Sequence, residues 1–125
     1  MAGLEKSKRV SFERAMIHHI ALIVSGEGCL EFYKKLGFEE RFRKERANDT
    51  VVLLSGHGAQ LEVFIDPRHP KKAVPEPLGL RHFALTVDDI ENTVKDLGCP
   101  IQTDWVGERF VFISDPDGNK VELHE

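Results

Sequence analysis

The chain has 125 residues, enough for one domain or for two small modules sharing one core. A net charge of −4 excludes the basic footprint of a nucleic-acid binder, and no apolar run approaches the ~18 residues needed to cross a bilayer. Apolar residues at 41% and charged residues at 30% are ordinary for a globular protein. Cys29 and Cys99 form no Cys-x-x-Cys pair, and no secretory signal precedes them. They read as two reduced thiols in a cytoplasmic protein.

Residues 1–15 are polar and have no echo later in the chain, so they read as an N-terminal extension with Met16 as a candidate start. Residues 17–24, IHHIALIV, are apolar and β-branched apart from the histidines and predict a strand. Alternation puts His19, Ala21 and Ile23 on one face. Residues 27–36 predict a helix, with Leu30, Tyr33 and Leu36 at helical spacing, Ser25 as its N-cap and Gly37 as its C-cap. Three strands follow. Residues 38–46 are charged and belong near an edge; residues 50–54 and 59–65 are more apolar, and Gly56, His57 and Gly58 mark the turn between them. The basic-leaning run from Arg41 to Arg46 reads as a solvated strand face.

Residues 66–79 hold four of the six prolines and form a linker, since proline suits neither a central strand nor a helix interior. The pattern then restarts. Residues 80–87 predict a strand with His82, Ala84 and Thr86 on one face. Asp88 or Asp89 caps a helix whose apolar positions are Ile90, Val94 and Leu97, stopped by Gly98. Residues 101–105, 108–114 and 120–124 are strands, the last two joined by the tight turn DPDG. The expected fold class is α+β. Two βαβββ modules, residues 16–65 and 80–125, form a curled mixed sheet.

The modules repeat one another in detail. IHHIALIV aligns with LRHFALTV 63 residues on, setting His19 over His82. QLEVF aligns with KVELH 60 residues on, setting Glu62 over Glu122. Strand parity places His19, Glu62, His82 and Glu122 on faces turned away from the helices, with small Ala21 and Ala84 two residues beyond each histidine. Facing half-barrels would bring the four into one cleft. Imidazole nitrogen and carboxylate oxygen suit a divalent transition metal, and two of each leave positions open for water or substrate. The other histidines, His18, His57, His69 and His124, have no counterparts and read as surface or supporting residues. His124 shares parity with Glu122, which brings it near the same cleft.

The motifs HHIALIV, EFYKKLGF, QLEVF, LRHFALTVDD and DPDGNKVELHE resemble the vicinal oxygen chelate superfamily, the glyoxalase I, bleomycin-resistance and extradiol-dioxygenase group. The resemblance covers residues 16–125 and is nearest to small bacterial glyoxalase I-like proteins. It implies metal ligation by His19, Glu62, His82 and Glu122. The metal would be nickel, cobalt or zinc, with manganese or iron as alternatives. It further implies a proton shift on the hemithioacetal of a 2-oxoaldehyde such as methylglyoxal through a metal-bound enediolate, with Glu122 as base and Glu62 as its near-symmetric partner. Family members of this size are commonly homodimers, with clefts built or completed between subunits. The chain departs from the glutathione-using pattern at two positions, Ile23 where an arginine is usual and Asp66 where an asparagine is usual. The thiol cosubstrate is therefore open. Arg41, Arg81 and Arg109 are alternative anion anchors, and surface charges otherwise. The alternatives within the family are a thiol transferase, an epimerase, a dioxygenase, or a drug-binding resistance protein without catalysis.

Overall fold

A computed structural model of the chain describes residues 11–125, so most of the expected extension over residues 1–15 lies outside the described residues. The elements run β1 (Ile20–Val24), α1 (Glu27–Lys35), β2 (Glu39–Glu45), β3 (Thr50–Gly56), β4 (Ala59–Ile65), β5 (Phe83–Thr86), α2 (Ile90–Val94), β6 (Gln102–Thr103), β7 (Arg109–Ser114) and β8 (Lys120–His124). They form two four-stranded sheets, ordered β1-β4-β3-β2 and β5-β8-β7-β6. In each, the first strand lies parallel to the last and the others are antiparallel. The internal repeat of the sequence is thus a repeat of topology.

Alternation decides which face is buried. Leu61 and Val63, Val52 and Leu54, Val111 and Ile113, and Val121 and Leu123 all point inward. Cys29, Leu30 and Tyr33 of α1 and Ile90 and Val94 of α2 complete a single core cluster shared by both sheets. Burying side chains of this size contributes about 1.5–3 kcal/mol each. Phe83 of β5 lies 6.3 Å from Tyr33 and 6.5 Å from Phe38, so aromatic contacts cross between the modules. The outer face of each sheet points away from this common core.

Several local expectations shift. Both histidine-bearing strands start late, at Ile20 and Phe83, because the parallel ladders begin at Ile20↔Leu61 and Phe83↔Val121. His19 and His82 therefore sit just ahead of their strands. Ser25 is not the N-cap of α1. Gly26 takes that place without a side-chain bond, and Ser25 reaches across to Asp117 instead. Helix α2 ends at Val94, which leaves Leu97 outside it and exposed. Asp89, not Asp88, caps that helix, accepting from the Asn92 amide. The strand expected over residues 101–105 shrinks to β6, and Trp105 is exposed. His57 has a structural role: it occupies the left-handed region at φ 54 in the β3–β4 turn, and its Nε2 lies 2.6 Å from the Leu36 carbonyl at the end of α1. At Gly37 (φ 105), a Cβ would press within 2.8 Å of that same imidazole, so the turn needs glycine.

Candidate metal centre

The parallel pairing sets up each half of the site. In the first sheet Glu62 is in register with Ala21, and in the second Glu122 is in register with Ala84. Alanine leaves the space beside each carboxylate open. The histidine two residues before each alanine then reaches the carboxylate on the next strand. His82 Nε2 lies 3.1 Å from Glu122 Oε1, with both side chains largely covered. His19 Nε2 lies 3.9 Å from Glu62 Oε2, more openly exposed.

The two pairs are not collected into one group. Among the described residues, only Asp104, Glu108 and His124 form a group of three or more candidate ligands with donor atoms within 4.8 Å of one another. The reason is architectural. Each pair lies on the outer face of its own sheet, and both inner faces are committed to the shared core. Within one chain the four candidate donors thus stand as two separate pairs, each with one imidazole and one carboxylate.

Donor chemistry fits a divalent transition ion. Imidazole nitrogen and carboxylate oxygen are donors such an ion accepts, and the 3.1 Å contact between His82 and Glu122 already brings one of each together. The His82 Nδ1 is buried with no hydrogen-bond partner. Phe112 packs edge-on to the His82 ring at 4.9 Å and screens that half-site.

The Asp104, Glu108 and His124 group adjoins the second half-site and was visible in the sequence only through the parity of His124. His124 Nδ1 bonds the Glu125 carbonyl at 3.0 Å, while Nε2 lies 3.4 to 3.8 Å from carboxylate oxygens of Glu108, Asp104 and Glu122. The backbone bond from Glu125 and the surrounding carboxylates raise the pKa of His124. Asp104 and Glu108 fall in the segments read as strands over residues 101–105 and 108–114, whereas the structure puts both in the loop between β6 and β7, beside His124. The alternative anion anchors are all paired: Arg41 with Glu39 and Ser55, Arg81 with Glu76, and Arg109 with Glu125 and Glu91.

Two clefts flank the first pair along its sheet. One, of about 430 Å3, is lined by residues that include His18, Ser55 and Gln60. The other, of about 310 Å3, is lined by Ile23, Asp66 and their neighbours.

Comparison with known proteins accords with this architecture. The protein YwkD of Bacillus subtilis (strain 168), described as uncharacterized, is 40% identical over 122 residues, covering 87% of this chain and 95% of YwkD. A glyoxalase family protein from Enterococcus faecalis superposes with a TM-score of 0.80 at 35% identity, over 90% of this chain and 98% of that one. The lactoylglutathione lyase of Agrobacterium tumefaciens superposes with a TM-score of 0.62 at 25% identity, over 89% and 93%. The profile of the Glyoxalase/Bleomycin resistance protein/Dioxygenase superfamily matches residues 16–123, and with the doubled βαβββ topology it establishes that the chain belongs to that superfamily.

Proposed function

We propose that the protein is a metal-dependent isomerase of the glyoxalase I type, moving a proton on the hemithioacetal of a 2-oxoaldehyde such as methylglyoxal. The observation that carries this reading is the imidazole–carboxylate pair repeated at corresponding positions of both sheets, tightest at His82 and Glu122. Likeness to a lactoylglutathione lyase at 25% identity supports it.

His19, Glu62, His82 and Glu122 would hold one divalent ion, with nickel, cobalt or zinc first and manganese or iron as alternatives. Bound there, the ion supplies Lewis-acid stabilisation of the negative charge that develops on the substrate oxygens. Glu122 is the base that takes the proton from one carbon and returns it to the next, and Glu62 is its counterpart in the other half-site. His82 lies against one Glu122 oxygen and His124 Nε2 stands 3.8 Å from the other, so both histidines border the base. Completion of the site falls to a homodimer, the first pair of one copy meeting the second pair of another. The outer faces carry exposed Ile23 and Phe42, which a partner would cover. The two free thiols support a cytoplasmic setting.

A second reading, another metal-dependent member of the superfamily with a different substrate, is favoured by Ile23 and Asp66 standing where the glutathione-using pattern has arginine and asparagine. Metal titration of chelator-stripped protein, followed by assay with methylglyoxal and a panel of thiols, tests both. The expected result is one ion per subunit, weakened by His19→Ala and by Glu122→Gln, and turnover reduced about 10²- to 10⁴-fold in Glu122→Gln with the fold intact. Absence of binding, or binding indifferent to both substitutions, overturns the metalloenzyme reading. Metal binding without turnover of any hemithioacetal leaves the second.

A further inference from the structure

Two histidines stand side by side in the first module, His18 and His19. Strand alternation would turn them to opposite faces. The β1 ladder begins only at Ile20, so neither is bound by that alternation. Their rings meet edge to face, with centroids 5.2 Å apart and planes at 83°. His18 Nδ1 lies 2.9 Å from His19 Nδ1. The neighbouring strand fixes the His18 backbone, because Gln60 Nε2 of β4 donates to its carbonyl at 3.2 Å. The other ring nitrogen of His19, Nε2, faces Glu62 at 3.9 Å.

Imidazole chemistry then assigns the protons. A neutral ring carries one N–H and one bare nitrogen. For His19 to offer a bare Nε2 to an ion, its proton must sit on Nδ1. The hydrogen-bond partner of that Nδ1 among the described residues is His18 Nδ1, which must then accept. Such a partner holds a ligating ring in one tautomer and one orientation and makes its free nitrogen more basic. The second module is built differently. Arg81 precedes His82 as His18 precedes His19, but its Nε turns to Glu76 at 3.2 Å. His82 Nδ1 is buried with no partner, and its ring is held by Phe112 at 4.9 Å and Glu122 at 3.1 Å. His19 is more exposed and stands farther from its carboxylate, and the ring that packs on it is that of His18.

We propose that His18 is a positioning residue for the first pair: it accepts from His19 Nδ1, so that Nε2 is presented bare beside Glu62. The inference rests on the metal-binding part of the proposed function. Calorimetric titration of chelator-stripped, full-length protein with nickel tests it, comparing His18→Ala, His18→Asn and Arg81→Ala. The asparagine oxygen stands as far along the side chain as imidazole Nδ1 and accepts in its place. His18→Ala should weaken nickel binding about tenfold, the low end of such effects because the pair is exposed. His18→Asn should recover most of that loss, and Arg81→Ala should change nothing. Urea unfolding of each metal-free variant separates a lost fold from a lost ligand. Unchanged affinity in His18→Ala overturns the proposal. So does His18→Asn binding no better than His18→Ala, the result expected if His18 were itself a ligand. Nickel binding absent from the unsubstituted protein overturns the metalloenzyme reading together with this one.

Discussion

Glu40 lies on the edge strand β2, yet its carboxyl is held down to about 2. The Arg43 hydrogen bond is the main cause, with Lys34 assisting and desolvation opposing. Arg43 also grips Glu27 at 2.9 Å through two nitrogens, so this network ties the sheet edge to the first turn of α1. A carboxyl whose folded pKa lies below its unfolded value stabilises the fold above the unfolded pKa, and the contribution disappears as pH falls through the folded one. Glu40→Gln should therefore lower unfolding free energy by no more than about 1 kcal/mol at pH 7, given the pair's solvent screening. The difference should shrink between about pH 4 and pH 2, as chemical denaturation at each pH would measure. A difference that grew on acidification would contradict this account. Cys29 shows the opposite case, its thiol pushed up to about 11 by burial first and then by its contact with Asp117.

At the scale of elements, the two helices are capped from different places. Helix α2 is capped locally by Asp89, a device written into its own sequence. Helix α1 is secured from the other module. Asp117, in the β7–β8 turn, accepts from the Ser25 amide at 2.7 Å, the Ser25 hydroxyl at 2.6 Å and the Cys29 thiol at 3.1 Å. Beside it, buried Asp115 accepts from the Tyr33 hydroxyl at 2.8 Å and from the turn's own amides and Asn119. The DPDGN turn is thus a clasp between modules as well as a hairpin connection. Asp117→Ala, which removes the acceptor of the buried Cys29 thiol and two bonds to exposed Ser25, should destabilise by about 1–3 kcal/mol. Asp89→Ala should cost about 1 kcal/mol as an ordinary cap loss. Parallel denaturation of the two variants measures the difference; if Asp117→Ala costs less than Asp89→Ala, the clasp carries little.

At the scale of the whole molecule, both inner faces share a core, so both His–Glu pairs look outward. A site completed between copies has a consequence that a site within one chain lacks. His19→Ala and His82→Ala each spoil both sites of their own homodimer. Mixing and reassociation give heterodimers in which one site is intact and the other doubly broken. Random pairing should restore about a quarter of the wild-type high-affinity metal sites. Titration of the reassociated mixture measures it, and a mixture that binds metal no better than either parent would overturn completion between copies.

The residue patterns made much of this legible. The repeats around His19 and His82, and around Glu62 and Glu122, identified the doubled topology because a strand's period of two is local and survives in the sequence. Alternation likewise assigned the outward face of each candidate ligand, since Leu61, Val63, Val121 and Leu123 had to be buried. Contacts remote in sequence were not legible there. Nothing near Ser25 marks Asp117 as its partner 92 residues away, and the strands expected over residues 101–105 and 108–114 gave no sign that Asp104 and Glu108 gather around His124. By itself the sequence determined the elements, their faces and the candidate donors, all set by short-range backbone geometry. Only the tertiary structure decided that the two sheets pack core to core and hold the donor pairs apart, because that depends on which apolar faces bury each other.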